Sequence, residues 1–247
     1  MAKRLGSMLD MVKPSPGRLY DYFLGGHHNF MIDRVVANQL IRLVPVIPKW
    51  ARMTRWFLHE AVGILVDEGF DKFLDFASGL PTGDHIHELT PVGTKVIYSD
   101  IDSVTVRYGR DIIGDNPNIR FELCDASHPE ELLSSPVMEL FGGDRHVAIG
   151  FNAIDFSLTD EQLAHAARTF YDWAAPGSRL FTSLRVLSSE GLSPQEQQVF
   201  DMYARMGNEL YFRPLERGQE LLAPWESDER GFMPVEEWLS PFLMGTG

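Results

Sequence analysis

The sequence predicts an α/β fold: a mostly parallel sheet with helices on both faces, preceded by a helical cap. Three observations carry that expectation. Five short apolar runs alternate with amphipathic stretches between residues 72 and 184, the order of βαβ units with right-handed crossovers. The first three runs stop at a glycine turn or at an aspartate, as strands do where they meet a loop. The first 70 residues carry helical patterns and no strand.

In chain order, residues 1–12 read as frayed, and Pro14 and Pro16 then punctuate the chain. Residues 17–24 read as a short helix ended by Gly25 and Gly26, since paired glycines terminate helices. A second helix is expected over 33–43, before Pro45 and Pro48, and a third over 50–66, with Trp56, Ala61 and Leu65 near one face and Gly69 beyond its end. The strand candidates are 72–77 (KFLDFA), 95–99 (KVIYS), 119–123 (IRFEL), 146–151 (HVAIGF) and 179–184 (RLFTSL). Helices are expected between them over 83–90, 103–113, 129–140 and 160–174. Residues 193–208 read as a long amphipathic helix with Pro194 in its first turn, 213–222 as another helix, and 231–239 as a late strand.

Composition narrows the function classes. Of 247 residues, 44% are apolar and 23% charged, which is globular composition. Lys plus Arg number 22 against 35 Asp plus Glu, a net charge of −13. Such a chain is a poor match for a phosphate backbone and suits a small, possibly cationic, ligand. The one cysteine, Cys124, permits no intramolecular disulfide or cysteine-rich zinc site and reads as a core residue. No signal-peptide core and no apolar stretch of membrane-spanning length occurs. A soluble, cytoplasmic protein acting on a small molecule is expected, with no nucleic acid and no membrane as partner.

In doubly wound sheets, ligands sit outside the carboxyl ends of the strands, near the switch in strand order. The first run ends in Asp75-Phe76-Ala77-Ser78-Gly79-Leu80-Pro81-Thr82-Gly83, a turn whose small residues let backbone N–H groups approach a ligand. The second ends at Asp100, placed to accept hydrogen bonds from both ribose hydroxyls. The third ends at Asp125, followed by Ala126, where a carboxylate can accept from a nucleobase amine. Asp and Gly are also ordinary turn residues; three such ends in this order point to a nucleoside. The chain has neither GxGxxG nor GxxxxGK[ST], so neither a dinucleotide nor a triphosphate loop is indicated.

The 75–82 turn resembles the first nucleoside-binding motif of the class I S-adenosylmethionine-dependent methyltransferases. More narrowly, it is similar to a bacterial S-adenosyl methyltransferase branch with a GSGLPT turn and an N-terminal YDYLLGG stretch. Here that stretch reads Gly17-Arg18-Leu19-Tyr20-Asp21-Tyr22-Phe23-Leu24-Gly25-Gly26-His27-His28-Asn29-Phe30, then Asp33-Arg34. The resemblance spans about residues 14–185. It implies a Rossmann-like class I methyltransferase fold, with 1–70 as a cap within the same domain and 71–247 as the cofactor-binding part. It further implies S-adenosylmethionine as cofactor, held by Asp75, Ala77, Ser78, Gly79 and Leu80, with Asp100 and Ile101 at the ribose and Asp125 and Ala126 near the adenine. Two departures stand out. Ala77 replaces a usual glycine, and Phe151-Asn152-Ala153-Ile154-Asp155-Phe156-Ser157 places Phe156 where the branch tends to carry a histidine.

Asn152 and Asp155 bring polarity to the end of the fourth strand, where the resemblance places the methionine portion and the reacting carbon. With Tyr22 they are the catalytic candidates, Asn152 also as a cofactor contact, and a buried amide and carboxylate need polar partners. Tyr22, with Phe30, is expected to cover the ligand as part of a lid hinged at the Gly-Gly pair. Tyr20, Tyr171, Tyr203 and Tyr211 are further candidates to face a sulfonium, which aromatic rings attract. His85 or His87 could line the pocket; at two residues' spacing on a helix they diverge by about 200°, so no metal is assigned. Three functions remain open at this point. They are methyl transfer to a small acceptor, ring closure of S-adenosylmethionine to azetidine-2-carboxylate and methylthioadenosine, and non-catalytic nucleoside binding.

Overall fold

A computed structural model describes residues 13–81, 83–186 and 191–244; the expectation for residues 1–12, and Thr82 of the turn, lie outside the described residues. Pro16 opens helix α1 (Pro16–Phe23), where its fixed φ suits a first turn and no N–H is missed. The helix closes through Gly25 at φ 82°, a left-handed position that favours glycine. α2 (Met31–Leu43) starts earlier than its apolar periodicity suggests, because Asp33 reaches back to cap it: its Oδ2 accepts from the Phe30 backbone N–H at 2.8 Å. α3 (Ile47–Asp67) likewise begins before the expected residue 50. Pro48 lies in its first turn, where proline opens a helix and does not break it.

The sheet is built of β1 (Lys72–Phe76), β2 (Lys95–Asp100), β3 (Ile119–Leu123), β4 (Ala148–Gly150) and β5 (Arg179–Phe181). All neighbours run parallel, in the order β3-β2-β1-β4-β5. β1 is central, and the order reverses between β1 and β4, so the crevice for a ligand opens above those two strands. Asp75 pairs with Tyr98 on one side and Gly150 on the other. Gly150 is required there: a Cβ would lie 2.5 Å from Asp75 Oδ1 and 2.7 Å from the Phe181 ring.

The crossovers carry α4 (Ile86–Leu89), α5 (Ser103–Ile113), α6 (Glu130–Leu133) and α7 (Asp160–Trp173). The helix expected over 129–140 is two pieces: α6, then a 3-10 turn at Pro136–Phe141, because Pro136 cannot continue the α-helical ladder. Beyond the sheet follow α8 (Pro194–Arg205), α9 (Leu215–Leu222) and α10 (Val235–Met244). α10 corrects the expectation of a strand over 231–239. Val235, Trp238 and Leu239 recur at helical spacing behind Glu236 and Glu237 of the first turn. Trp238 packs edge-on against Phe57 of α3, with ring centroids 4.8 Å apart.

Both sheet faces are covered, which explains why the central strands read as continuous apolar runs. Leu74, Phe76, Ile149 and Phe151 pack with Leu163 and Phe170 of α7 and Leu221 and Leu222 of α9. Phe73, Val96, Tyr98 and Phe121 pack with Leu58, Val62 and Leu65 of α3. A third cluster joins Leu19, Phe23, Ala37 and Leu40 to Val199, Met202 and Tyr203 of α8. The first and last thirds of the chain therefore meet over the sheet. Among the described residues, no helix is long and apolar enough to cross a membrane.

Candidate functional site

A cavity of about 620 Å³ opens at the carboxyl edge of the sheet, between the strand ends, α1, α3 and α8. That position and size are those of a small-molecule site in a doubly wound fold. The turn after β1 forms part of its floor. Ala77 and Gly79 take left-handed backbone conformations, φ 54° and 69°. The Ser78 N–H bonds the Ser99 carbonyl at 3.0 Å. The Gly79 N–H donates to Asp100 Oδ2 at 3.1 Å, and the Asp102 N–H to Asp100 Oδ1 at 2.9 Å. The Asp100 carboxylate is thus fixed at the cavity wall by backbone donors. Burial pushes its pKa up to about 6, against the pull of those N–H groups.

Asp75 is buried deeper. Desolvation raises its pKa to about 7, opposed by the charge of Arg55 and reinforced by Asp100. Asp125 is half-buried, with Oδ1 accepting from the Ser127 N–H at 2.9 Å and its hydroxyl at 2.8 Å. Ile101 stands exposed at the rim and Ala126 is buried. Asn152 lies in the wall at the end of β4; its Oδ1 accepts from Ser183 Oγ at 2.6 Å and its amide donates to the Thr54 carbonyl at 3.4 Å. Ala153 beside it, at φ 57°, is a second non-glycine left-handed residue. Such strain persists where surrounding structure enforces it, often at functional sites.

The structure therefore gathers Asp75, Ala77, Ser78, Gly79, Asp100, Ile101, Asp125, Ala126 and Asn152 around one cavity. Three other candidates stand apart. Leu80 is buried away from the cavity, its carbonyl accepting from His85 Nε2 at 2.6 Å. Asp155 is 2% exposed and faces inward: Oδ2 accepts from the Arg185 backbone N–H at 2.8 Å, and its own carbonyl accepts from Arg213. It braces the segment after β5. Tyr22 turns from the cavity, and its hydroxyl meets Asn38. Of the aromatic candidates, Tyr20 and Tyr203 line the cavity. Tyr171 packs on Trp225, and Tyr211 bonds Glu209. His85 and His87 are also outside it, His87 bonded to the Tyr98 hydroxyl. Cys124 is core, as expected, yet it also borders the cavity; burial pushes its thiol up to about 11.

Polar contacts tie the N-terminal motif down in this structure. Arg18, 1% exposed, bonds Asp33 Oδ2 through Nε at 2.8 Å and Asp102 Oδ2 through Nη1 at 3.1 Å. Asp102 in turn caps α5 through the Val104 N–H, two residues beyond Asp100. Asp21 accepts from the His28 N–H and from Asn29 Nδ2 at 3.0 and 2.7 Å. Gly26 is locked into that knot, since a Cβ would fall 2.0 Å from Asp21 Oδ1. Arg18, Asp33, Asp21 and Asn29 thus hold α1 and α2 together and against the segment after β2.

Sequence reasoning missed the other half of the cavity. Arg55 enters from α3, with its buried Nε lacking a hydrogen-bond partner among the described residues. Trp50, Phe156, Phe200, Phe212 and Arg185 line the side away from Asp100 and Asp125. One signal was present in the sequence: Phe156 at the position where the branch carries a histidine. His128, Glu130 and His165 also converge, on the surface and apart from the cavity, with His165 too distant in sequence from the other two to show a ligand spacing.

Comparison with known proteins gives this geometry its setting. A family model described as S-adenosyl methyltransferase matches residues 2–242. The chain belongs to the S-adenosyl methyltransferase family. A candidate methyltransferase from Thermobifida fusca YX is 28% identical over 91% of this chain and 85% of its own, with a TM-score of 0.81. A DUF574-family protein from Streptomyces avermitilis MA-4680 is 25% identical over 93% of this chain and 90% of its own, also with a TM-score of 0.81. No curated protein matches the sequence. S-adenosylmethionine is thus the cofactor of this Rossmann-like protein, and the family match extends past the sheet to α10.

Proposed function

We propose that this methyltransferase transfers the methyl group of S-adenosylmethionine to a small organic acceptor inside the cavity. One observation carries the reading. The same cavity is lined by carboxylates at the strand ends and also by aromatic side chains, among them Trp50, Phe156, Phe200 and Phe212, so it offers an apolar surface for a second molecule beside the cofactor. Asp100 offers oxygen lone pairs to the ribose hydroxyls, and Asp125 and Ala126 flank the adenine. Arg55, with an unsatisfied buried donor, suits the methionyl carboxylate, and Asp75 the cationic side of the same ligand. Asn152 is a positioning residue, bridging α3, β4 and the segment after β5. The cofactor supplies a methyl group already activated on a sulfonium, so the protein's task is orientation and exclusion of water.

Ring closure of the cofactor on itself would need no aromatic surface for an acceptor, and Asp155, the group meant to hold its amine, faces inward. Both points favour transfer. We take residues 1–70 and the sheet as one domain, because buried Arg18 pairs both with Asp33 of the cap and with Asp102 just after β2. The reading places the protein in the cytoplasm with neither nucleic acid nor membrane as partner, on its charge of −13 and an enclosed site. Incubation with S-adenosylmethionine and a mixed pool of small metabolites, followed by mass analysis, tests it. S-adenosylhomocysteine together with a product heavier by one methylene is expected; methylthioadenosine formed without any acceptor would overturn it.

A further inference from the structure

The aromatic half of the cavity contains a cation with no assigned role. Arg185 follows β5, and its backbone N–H is pinned to Asp155. Its guanidinium carbon lies 5.5 Å from the Trp50 ring centroid and 6.0 Å from that of Phe156. Among the described residues, its guanidinium has no hydrogen-bond or ion-pair partner; burial lowers its pKa from the usual arginine value. Phe156 and Phe200 both meet Phe212 edge-on, at 6.4 and 4.8 Å. Two carboxylates face this side: Asp155, whose charge acts on Arg185 without a hydrogen bond to its guanidinium, and Glu196, which caps α8 through the Ser193 N–H at 2.8 Å. Asp100, Asp102 and Asp125 line the cavity from the ends of β2 and β3, across the sheet from β5, and Asp75 lines it from the central β1.

We infer that the acceptor is a planar aromatic carboxylate, its ring lying among Trp50, Phe156 and Phe212 and its carboxylate held by Arg185. A guanidinium stacked on aromatic faces keeps its edge donors free, and their fork matches a carboxylate in two parallel hydrogen bonds. Such a partly desolvated cation discriminates by charge, because a neutral or cationic ligand leaves its guanidinium donors without a charged acceptor. The acidic floor repels the same anion, which fixes the acceptor's orientation: charged end toward Arg185, away from Asp75 and Asp100. This inference rests on the methyl-transfer reading for the role of the bound molecule, and its test does not.

The test is calorimetry on the full chain, with and without saturating S-adenosylhomocysteine. Three probes of one shape are titrated: 2-naphthoate, 2-naphthamide and 2-naphthylmethylammonium. The carboxylate is expected to bind at least about tenfold tighter than the amide, with the cation weakest. In Arg185→Gln the preference should vanish and in Arg185→Lys partly survive, with S-adenosylhomocysteine affinity retained in both. Equal binding of amide and carboxylate, no binding of any probe, or a preference that survives Arg185→Gln would overturn the inference. So would a matching loss of S-adenosylhomocysteine affinity in Arg185→Gln, which would assign the arginine to the cofactor's own carboxylate. The wild-type comparison stands even where a variant fails to fold. Failure of S-adenosylhomocysteine to bind the wild-type chain would instead strike the methyltransferase reading and leave the probe preference readable.

Discussion

Asp100 holds the Gly79 and Asp102 N–H groups with a carboxylate that still has lone pairs turned to the cavity. Charged acceptors contribute roughly 1.5–3 kcal/mol per hydrogen bond, so Asp100→Ala should weaken S-adenosylmethionine binding by at least about tenfold; unchanged calorimetric affinity in a folded variant would remove Asp100 from the site. Ala77 makes a different prediction. At φ 54° it holds a conformation that costs a non-glycine residue about 1–2 kcal/mol, partly offset by glycine's larger unfolded-state entropy. Ala77→Gly should therefore raise stability by up to about 1 kcal/mol in urea unfolding, and a loss would show that the alanine methyl is needed in the cavity wall. At this scale the sequence was uneven. Carboxylates at strand ends announce themselves, because a strand end sits at a ligand edge whatever packs around it. Asp155 and Tyr22 did not, because a side chain's direction depends on partners far along the chain: the Arg185 N–H for one, Asn38 for the other.

At the level of elements, the strands and crossovers follow from periodicity: β3 and α5 fall on the residues their patterns predict. The tail does not, because the short apolar and acidic segment 231–239 fits a strand or a short helix equally until α3 presents Phe57 to Trp238. The N-terminal motif shows the same limit. Its residues are distinctive in sequence, but only the fold shows that Arg18 spans 84 positions to Asp102. Breaking a buried ion pair by removing one partner costs about 3–5 kcal/mol, since the remaining charges stay buried. Arg18→Met should lose stability of that order in urea unfolding and weaken S-adenosylmethionine binding as well, through the freed Asp102 and the Asp100 segment it anchors. Loss of stability with cofactor affinity unchanged would confine these contacts to folding.

The molecule as a whole gathers buried acids at the cavity; on the proposed reading they face the cofactor's positive charge, which links stability and ligand affinity to pH with opposite signs. Asp75 is held by burial at a pKa of about 7, against about 3.9 in an unfolded chain. Between those values the folded protein binds the extra proton. The contribution of Asp75 is thus fully present below about pH 4 and is lost as pH rises through about 7. Asp100, raised to about 6, acts in the same direction. His85 and His87, whose pKa values burial lowers, act the other way near pH 6.5, so the wild-type profile alone cannot isolate the acids. The difference between wild type and Asp75→Asn does. The variant should gain stability relative to wild type between pH 5 and pH 8, on the order of 2 kcal/mol, by calorimetry of the ligand-free protein. S-adenosylmethionine brings positive charge to the ionised carboxylate, so wild-type affinity should strengthen over the same interval with release of a proton, while Asp75→Asn shows a flatter profile. Titrations in buffers of different ionisation enthalpy read that proton directly. Binding without proton release near pH 6.5, or an unchanged profile in Asp75→Asn, would place Asp75 away from the ligand's cationic groups and leave it as a buried acid accommodated only by Gly150.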